Sequence, residues 1–161
     1  MRKTGLSQSQ VDAFYKLIEQ GAKIETIAEL VGYTSMGKFK LSEQSLKRLN
    51  GVHNDLVRVV KRAIELSEYD FMVIEGLRSM ETQRKYFDAG KSKTLNSFHL
   101  TGHAVDLAPL ENGSIDWKNS KGQFNAVAKA MKQAAKELNV KLEWGGDWRS
   151  FVDMPHFQIE R

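Results

Sequence analysis

Between Ser97 and Asp106 the chain reads Ser-Phe-His-Leu-Thr-Gly-His-Ala-Val-Asp, which puts two of its four histidines and a carboxylate into one short passage. Imidazole nitrogen and carboxylate oxygen are zinc donors, and a catalytic zinc takes three of them from the protein while leaving a fourth position to water. The passage constrains the fold because it is only part of such a site. A further donor must come from a remote part of the chain. The sequence has no cysteine, so disulfides and thiolate sites are excluded and any metal must use histidines and carboxylates.

Strand periodicity sorts the donors. If residues 103–108 are extended, Ala104, Asp106 and Ala108 share one face, and His103, Val105 and Leu107 share the other. Asp106 then points into a site beside the small Ala104, and His99 folds back toward it from the preceding loop. His103 points away, as a supporting or structural residue. His53 and His156 remain for the third position. His53 lies at a helix break, where a cap or loop role suits it. His156 opens the last apolar run after Pro155, with Gln158 on its own face, and is the better third ligand. Asp153, three residues earlier, is a carboxylate near the metal without being a ligand, suited to take a proton from the attacking water. Arg78 stands where a strand enters a loop and is placed to stabilise a developing oxyanion. These residues describe a mononuclear zinc hydrolase centre.

The rest of the chain gives that centre a scaffold. Residues 1–38 read as a small helical unit, with one helix carrying Val11, Phe14, Leu17 and Ile18 and ending at Gly21, and a second carrying Ile24, Ile27, Ala28 and Leu30. Ser42 caps a helix with Leu46 and Leu49 on its apolar face. Asn54 caps the next, in which Leu56, Val59, Val60, Ala63, Ile64 and Leu66 repeat at helical spacing. Residues 70–77 alternate as a strand, with Phe71, Val73 and Glu75 on one face. Ser79 caps a helix that Gly90 stops. A strand at 105–108 ends at Pro109, a short edge segment follows at 115–117, a long amphipathic helix runs from Phe124 to Leu138, and strands occupy 140–144 and the residues after His156.

Hydrophobic residues make up 41% and charged residues 27%, within the range of a folded globular chain, and the formal net charge of +4 favours an anionic partner such as nucleic acid, lipid or cell wall. No apolar run approaches the ~18 residues of a membrane span. The charged start Met-Arg-Lys-Thr-Gly is followed by no apolar core, so an ordinary secretory signal is not expected, and the chain is read as made in the cytoplasm.

The combination Ser97-x-His99-x-x-Gly102-x-Ala104-x-Asp106 with Asp153-x-x-His156 resembles the zinc D-Ala-D-Ala carboxypeptidase/dipeptidase family, which includes vancomycin-resistance peptidases and the L-alanyl-D-glutamate endopeptidases of phage endolysins. The flanking Leu41-Ser-Glu-Gln-Ser-Leu, Gly51-Val-His-Asn-Asp-Leu, Glu75-Gly-Leu-Arg78 and Trp144-Gly-Gly-Asp-Trp148 are most similar to the endolysin branch. The resemblance covers about residues 41–159. It implies zinc held by His99, Asp106 and His156, with Asp153 as general base and Arg78 polarising the scissile carbonyl. It further implies that Ser97 supports a ligand or holds substrate, and that Asp147 and Trp148 either shape the groove or brace their loop. The implied fold is α+β: a small antiparallel sheet flanked by helices, of the Hedgehog/D,D-peptidase kind, over residues 41–161.

The expected activity is cleavage of the L-Ala–D-Glu bond of the peptidoglycan stem peptide by a monomer without nucleic-acid partners, reaching the wall after holin-dependent release. A D,D-carboxypeptidase or dipeptidase releasing D-Ala is the second enzymatic reading. Residues 1–38 are open to wall binding and, in a reading of another class, to DNA binding through their helix-turn-helix-like layout.

Overall fold

The computed structural model describes residues 8–21 and 38–161. The chain divides into two units, residues 1–37 and 38–161. In the first, helix α1 spans Gln8–Glu19, and Gly21 follows it with a φ of 75°. The expected second helix, around Ile24 to Leu30, lies outside the described residues.

The second unit is built on the helical repeat read from the sequence. Helix α2 covers Glu43–Arg48, and helix α3 covers Asn54–Leu66. In α3, Leu56, Val59, Val60 and Ala63 are fully buried and Ile64 nearly so, which is the one-sided stripe their spacing dictates. Its cap is His53 rather than Asn54: the His53 Nδ1 accepts from the Asp55 backbone N–H at 3.3 Å, and Asn54 is the first helical residue. In α2, Leu49 is buried while Leu46 is 43% exposed, so only one of the two expected apolar positions faces inward.

Strand β1 (Asp70–Glu75), helix α4 (Met80–Asp88), strand β2 (Ala104–Leu110), helix α5 (Gln123–Glu137), strand β3 (Leu142–Trp144) and strand β4 (His156–Ile159) complete the unit. All pairings are antiparallel, in the order β1-β2-β4-β3. Val73 lies opposite Leu107, Val105 opposite Phe157, and Leu142 opposite Ile159, so these side chains share one face. They form the core with Val127, Ala128, Met131, Ala134 and Ala135 of α5 and the buried stripe of α3. The opposite face carries Asp106, His156, Gln158 and Glu143.

One irregularity changes what that face presents. Val73 pairs with Leu107, yet Glu75 pairs with Asp106, so two residues of β1 stand against one of β2. This β-bulge reverses the alternation expected for the strand and puts Glu75 beside Asp106 rather than with Phe71 and Val73. As an edge strand β1 leaves ladder groups unpaired, and α2 covers them: the Val73 N–H donates to the buried Ser45 Oγ at 3.0 Å, and Arg48 Nη1 donates to the Val73 carbonyl at 2.8 Å.

Strand β1 ends at Glu75 rather than running on to residue 77, and other boundaries differ from expectation too. Strand β2 continues through Pro109, which pairs with Phe71, because β4 accompanies β2 only along 104–106 and no ladder on that side needs a Pro109 N–H. Residues 115–117 form no strand, since the Asp116 carboxylate accepts from the backbone N–H groups of Lys118 and Ser120 and winds the segment into a turn. Strand β3 begins at Leu142 rather than Val140, because the Val140 N–H is used to close α5 on the Ala135 carbonyl at 2.9 Å. Among the described residues no helix is long and apolar enough to cross a membrane.

Candidate active site

Three elements bring the candidate donors together. Ser97 caps a 3₁₀ turn over Phe98–Thr101, accepting at Oγ from the His99 N–H at 3.3 Å, and this turn folds His99 back over the sheet. Gly102 ends the turn at a φ of 72°, a conformation that costs a residue with a Cβ ~1–2 kcal/mol. Strand β2 then presents Asp106, and β4 presents His156 directly opposite it.

His99 Nε2, Asp106 Oδ1 and His156 Nδ1 form a nearly equilateral triangle. The carboxylate oxygen lies 3.2 Å from each nitrogen, and the two nitrogens are 3.3 Å apart. Tetrahedral coordination at zinc-like bond lengths spaces donors by about 3.3 Å, so the triangle fits a small ion without rearrangement. The outer atoms fix which nitrogens face inward. His99 Nδ1 meets the Gly76 carbonyl at 2.7 Å, and His156 Nε2 meets the Gln158 Oε1 at 2.9 Å. Both outer partners are acceptors, so each outer nitrogen carries a proton; each inner nitrogen can then either hold a proton toward Asp106 or release it and offer a lone pair to an ion. Three converging acceptors attract a cation. Burial lowers the His156 pKa, but the hydrogen bond and charge of Asp106 outweigh it and hold the value above that of an ordinary histidine. Burial likewise opposes ionisation of Asp106, and hydrogen bonds from His156 and His99 overcome it, keeping the carboxyl well below the usual range. His99, Asp106 and His156 can therefore hold a metal ion.

Arg78 is fixed beside this triangle. Its backbone N–H donates to the His99 carbonyl at 3.0 Å. Its side chain is only 8% exposed and grips both oxygens of Glu75, at 2.8 Å through Nε and 2.5 Å through Nη2, while Nη1 donates to Gln83 Oε1 at 2.7 Å. Nη2 also lies 3.8 Å from Asp106 Oδ2, and the guanidinium stacks 4.8 Å from the Tyr86 ring centre. Gln83, fully buried, turns its amide N–H groups to Ser92 Oγ and the Thr94 carbonyl, tying the 91–96 loop to Arg78.

Asp153 lines the same cleft. Its backbone N–H donates to the Gly145 carbonyl at 2.9 Å, and its own carbonyl accepts from the His156 N–H at 3.2 Å. The loop comes so close at Gly145 that a Cβ there would collide with the Asp153 carbonyl oxygen. Among the described residues, none hydrogen bonds to the Asp153 carboxylate. Burial first, and the neighbouring Asp106 charge second, push its carboxyl above the ordinary value, as suits a proton acceptor.

The remaining candidates separate. Ser97 and Trp148 line the cleft, and the Trp148 ring lies 5.2 Å from His156. Asp147 instead pairs with Lys132 on α5 at 2.6 Å and braces its loop. His103 bonds to Thr101 Oγ1 at 3.0 Å and packs 5.0 Å from His53, away from the cleft. The sequence reading passed over Glu75 and Gln83. Glu75 was hidden by the bulge, and Gln83 carries no local signal because its partners come from a distant loop.

Comparison with known proteins identifies the family. The family described as phage L-alanyl-D-glutamate peptidase matches residues 36–160. The L-alanyl-D-glutamate peptidase of Escherichia phage T5 is 42% identical over 126 residues, covering 76% of this chain and 90% of that protein. The L-alanyl-D-glutamate peptidase of Listeria phage A118 is 31% identical over 119 residues, covering 72% of this chain and 41% of that protein. Among solved structures, the L-Ala D-Glu endopeptidase ChiX of Serratia marcescens superposes with a TM-score of 0.71 at 43% identity, covering 76% of this chain and 91% of that one. The α+β fold, the cleft and these relatives together place the chain in the phage L-alanyl-D-glutamate peptidase family.

Proposed function

We propose that this protein is a zinc-dependent peptidoglycan hydrolase that cleaves the L-Ala–D-Glu bond of the stem peptide. The observation that carries the reading is the triangle of His99 Nε2, Asp106 Oδ1 and His156 Nδ1, with edges of 3.2–3.3 Å, at the base of a cleft shared with Asp153 and Arg78. His99, Asp106 and His156 would hold a zinc ion, which would supply Lewis acidity toward a peptide carbonyl and lower the pKa of water toward ~7.

The chain's own residues do the rest. Asp153, free of protein hydrogen bonds at its carboxylate among the described residues, accepts the proton of the water that attacks the L-Ala carbonyl carbon. It returns that proton to the departing nitrogen of D-Glu as the C–N bond breaks. Arg78, held rigid by Glu75, Gln83 and Tyr86, presents its positive charge to the carbonyl oxygen as negative charge grows there. Ser97 holds the His99 turn, and Trp148 walls the cleft beside His156.

The catalytic unit in this reading is residues 41–161, working as a monomer, with residues 1–38 as a wall-binding appendage. Membership in a family of phage peptidases supports a lysin that reaches the wall through holin-dependent release. The test is incubation of the full-length protein with purified stem peptide, followed by mass analysis and end-group labelling. A new D-Glu amino terminus is the expected product; free D-Ala would instead establish a D,D-carboxypeptidase.

A further inference from the structure

A hydrogen-bonded chain runs outward from His156 and ends on a carboxylate. His156 Nε2 meets Gln158 Oε1 at 2.9 Å, Gln158 Nε2 donates to Glu143 Oε2 at 3.2 Å, and Glu143 Oε1 accepts from the Trp148 indole N–H. The sheet makes this chain possible. Glu143 on β3 lies opposite Gln158 on β4, and Gln158 shares a face with His156 two residues away. Glu143 is exposed and, among the described residues, forms no ion pair, although Lys141 two positions earlier pairs with Glu160. An edge-strand carboxylate ordinarily points to water, but both oxygens of Glu143 are engaged by neutral donors.

The direction of every proton in the chain follows from its outer end. An ionised carboxylate only accepts, so it draws the amide N–H₂ of Gln158 toward itself. That leaves Oε1 of Gln158 facing His156, which requires a proton on Nε2 and, in the neutral ring, leaves the lone pair on Nδ1. Nδ1 is the atom in the donor triangle, 3.2 Å from Asp106 Oδ1. The same carboxylate anchors Trp148, whose ring packs 5.2 Å from His156 on the cleft side.

We propose that Glu143 is a positioning residue: through Gln158 it selects the nitrogen that His156 offers to the metal, and through Trp148 it locks the adjoining cleft wall to that ligand. The proposal rests on the reading of His156 as a metal ligand.

The test uses full-length protein carrying Glu143→Ala and, as the conservative replacement, Glu143→Gln. Zinc affinity is measured by competition with a chromophoric chelator, and the His156 proton is located in long-range ¹H–¹⁵N spectra of the metal-free protein. Loss of a direct partner of a ligating histidine weakens metal binding by about 10–100-fold, and Glu143 acts one hydrogen bond further out, so the lower end, about 10-fold, is expected. Glu143→Ala is expected to show a loss of that size, with His156 divided between its two tautomers and the thermal midpoint of the metal-free protein unchanged. Glu143→Gln, which keeps an acceptor oxygen, recovers part of the affinity. Wild-type affinity in Glu143→Ala overturns the proposal. So does weakened affinity with the Nε2–H signal intact, which would mean that only a negative charge had been lost. If the wild-type protein takes up no zinc, the metal reading itself falls, and the proposal falls with it.

Discussion

Glu75 holds Arg78 by both carboxylate oxygens, with contacts of 2.8 and 2.5 Å, from a position that the β-bulge places opposite Asp106. The pair fixes a cation at the edge of the donor triangle while sparing Asp106 most of the contact with it, at 3.8 Å. Paired carboxylate and guanidinium bond as two parallel hydrogen bonds, a geometry lysine cannot copy.

Arg78→Lys is therefore expected to lower kcat by about 10²–10³ while zinc stays bound, the magnitude of losing one oxyanion donor. Glu75→Ala leaves the buried Arg78 with only its longer contact to Asp106 and is expected to cost about 3 kcal/mol of stability, the low end for breaking a buried pair. Steady-state kinetics and urea denaturation check the two outcomes.

Asp153 and His156 lie three residues apart and have separable tasks in the proposed mechanism. Asp153→Asn removes the proton acceptor but none of the three donors, so zinc content is expected to stay normal while kcat falls by about 10²–10⁴. His156→Ala opens the triangle and is expected to lose the metal. Metal analysis of the purified variants beside their turnover checks both.

Gly102 is required on two grounds. Its φ is 72°, and a Cβ there would strike the Gly51 carbonyl oxygen. Gly102→Ala is expected to destabilise the protein by at least about 2 kcal/mol, with the midpoint of denaturant unfolding as the readout. The segment it disturbs carries His99, so zinc affinity falls with stability.

Arg62 on α3 and Glu137 on α5 are joined at 2.6 Å. The hydrogen bond from Arg62 holds the Glu137 carboxyl below its ordinary value. A carboxylate of depressed pKa stabilises the fold above its unfolded value, near ~4.3, and loses that contribution as the pH falls through the folded value. Because both groups reach solvent, the effect is under about 1 kcal/mol. Arg62→Met is expected to be less stable than wild type near neutrality, and the two stability curves converge in acid.

Much of the candidate site was legible because strand parity is a local signal. Period-two alternation is enough to separate Asp106 from His103: the structure sets Asp106 on β2 opposite His156, and His103, just before the strand, against His53. His156 is preferred to His53 because it opens a strand after Pro155, with Gln158 on its own face, while His53 lies at a helix break. Where the reading missed, a long-range feature had overruled a local rule. The bulge moved Glu75 across the sheet, and β2 passed through Pro109 because its neighbour had already ended. Gln83 sits in an ordinary-looking helix, and its three partners come from Arg78, Ser92 and Thr94, which only the folded chain assembles.

Anomalous diffraction at the zinc absorption edge, on crystals of the zinc-loaded protein, tests the proposed centre most directly. A single peak is expected inside the triangle, about 2.0–2.2 Å from His99 Nε2, Asp106 Oδ1 and His156 Nδ1. A peak held by other residues, or one that His156 reaches through Nε2 or not at all, would contradict the proposed centre.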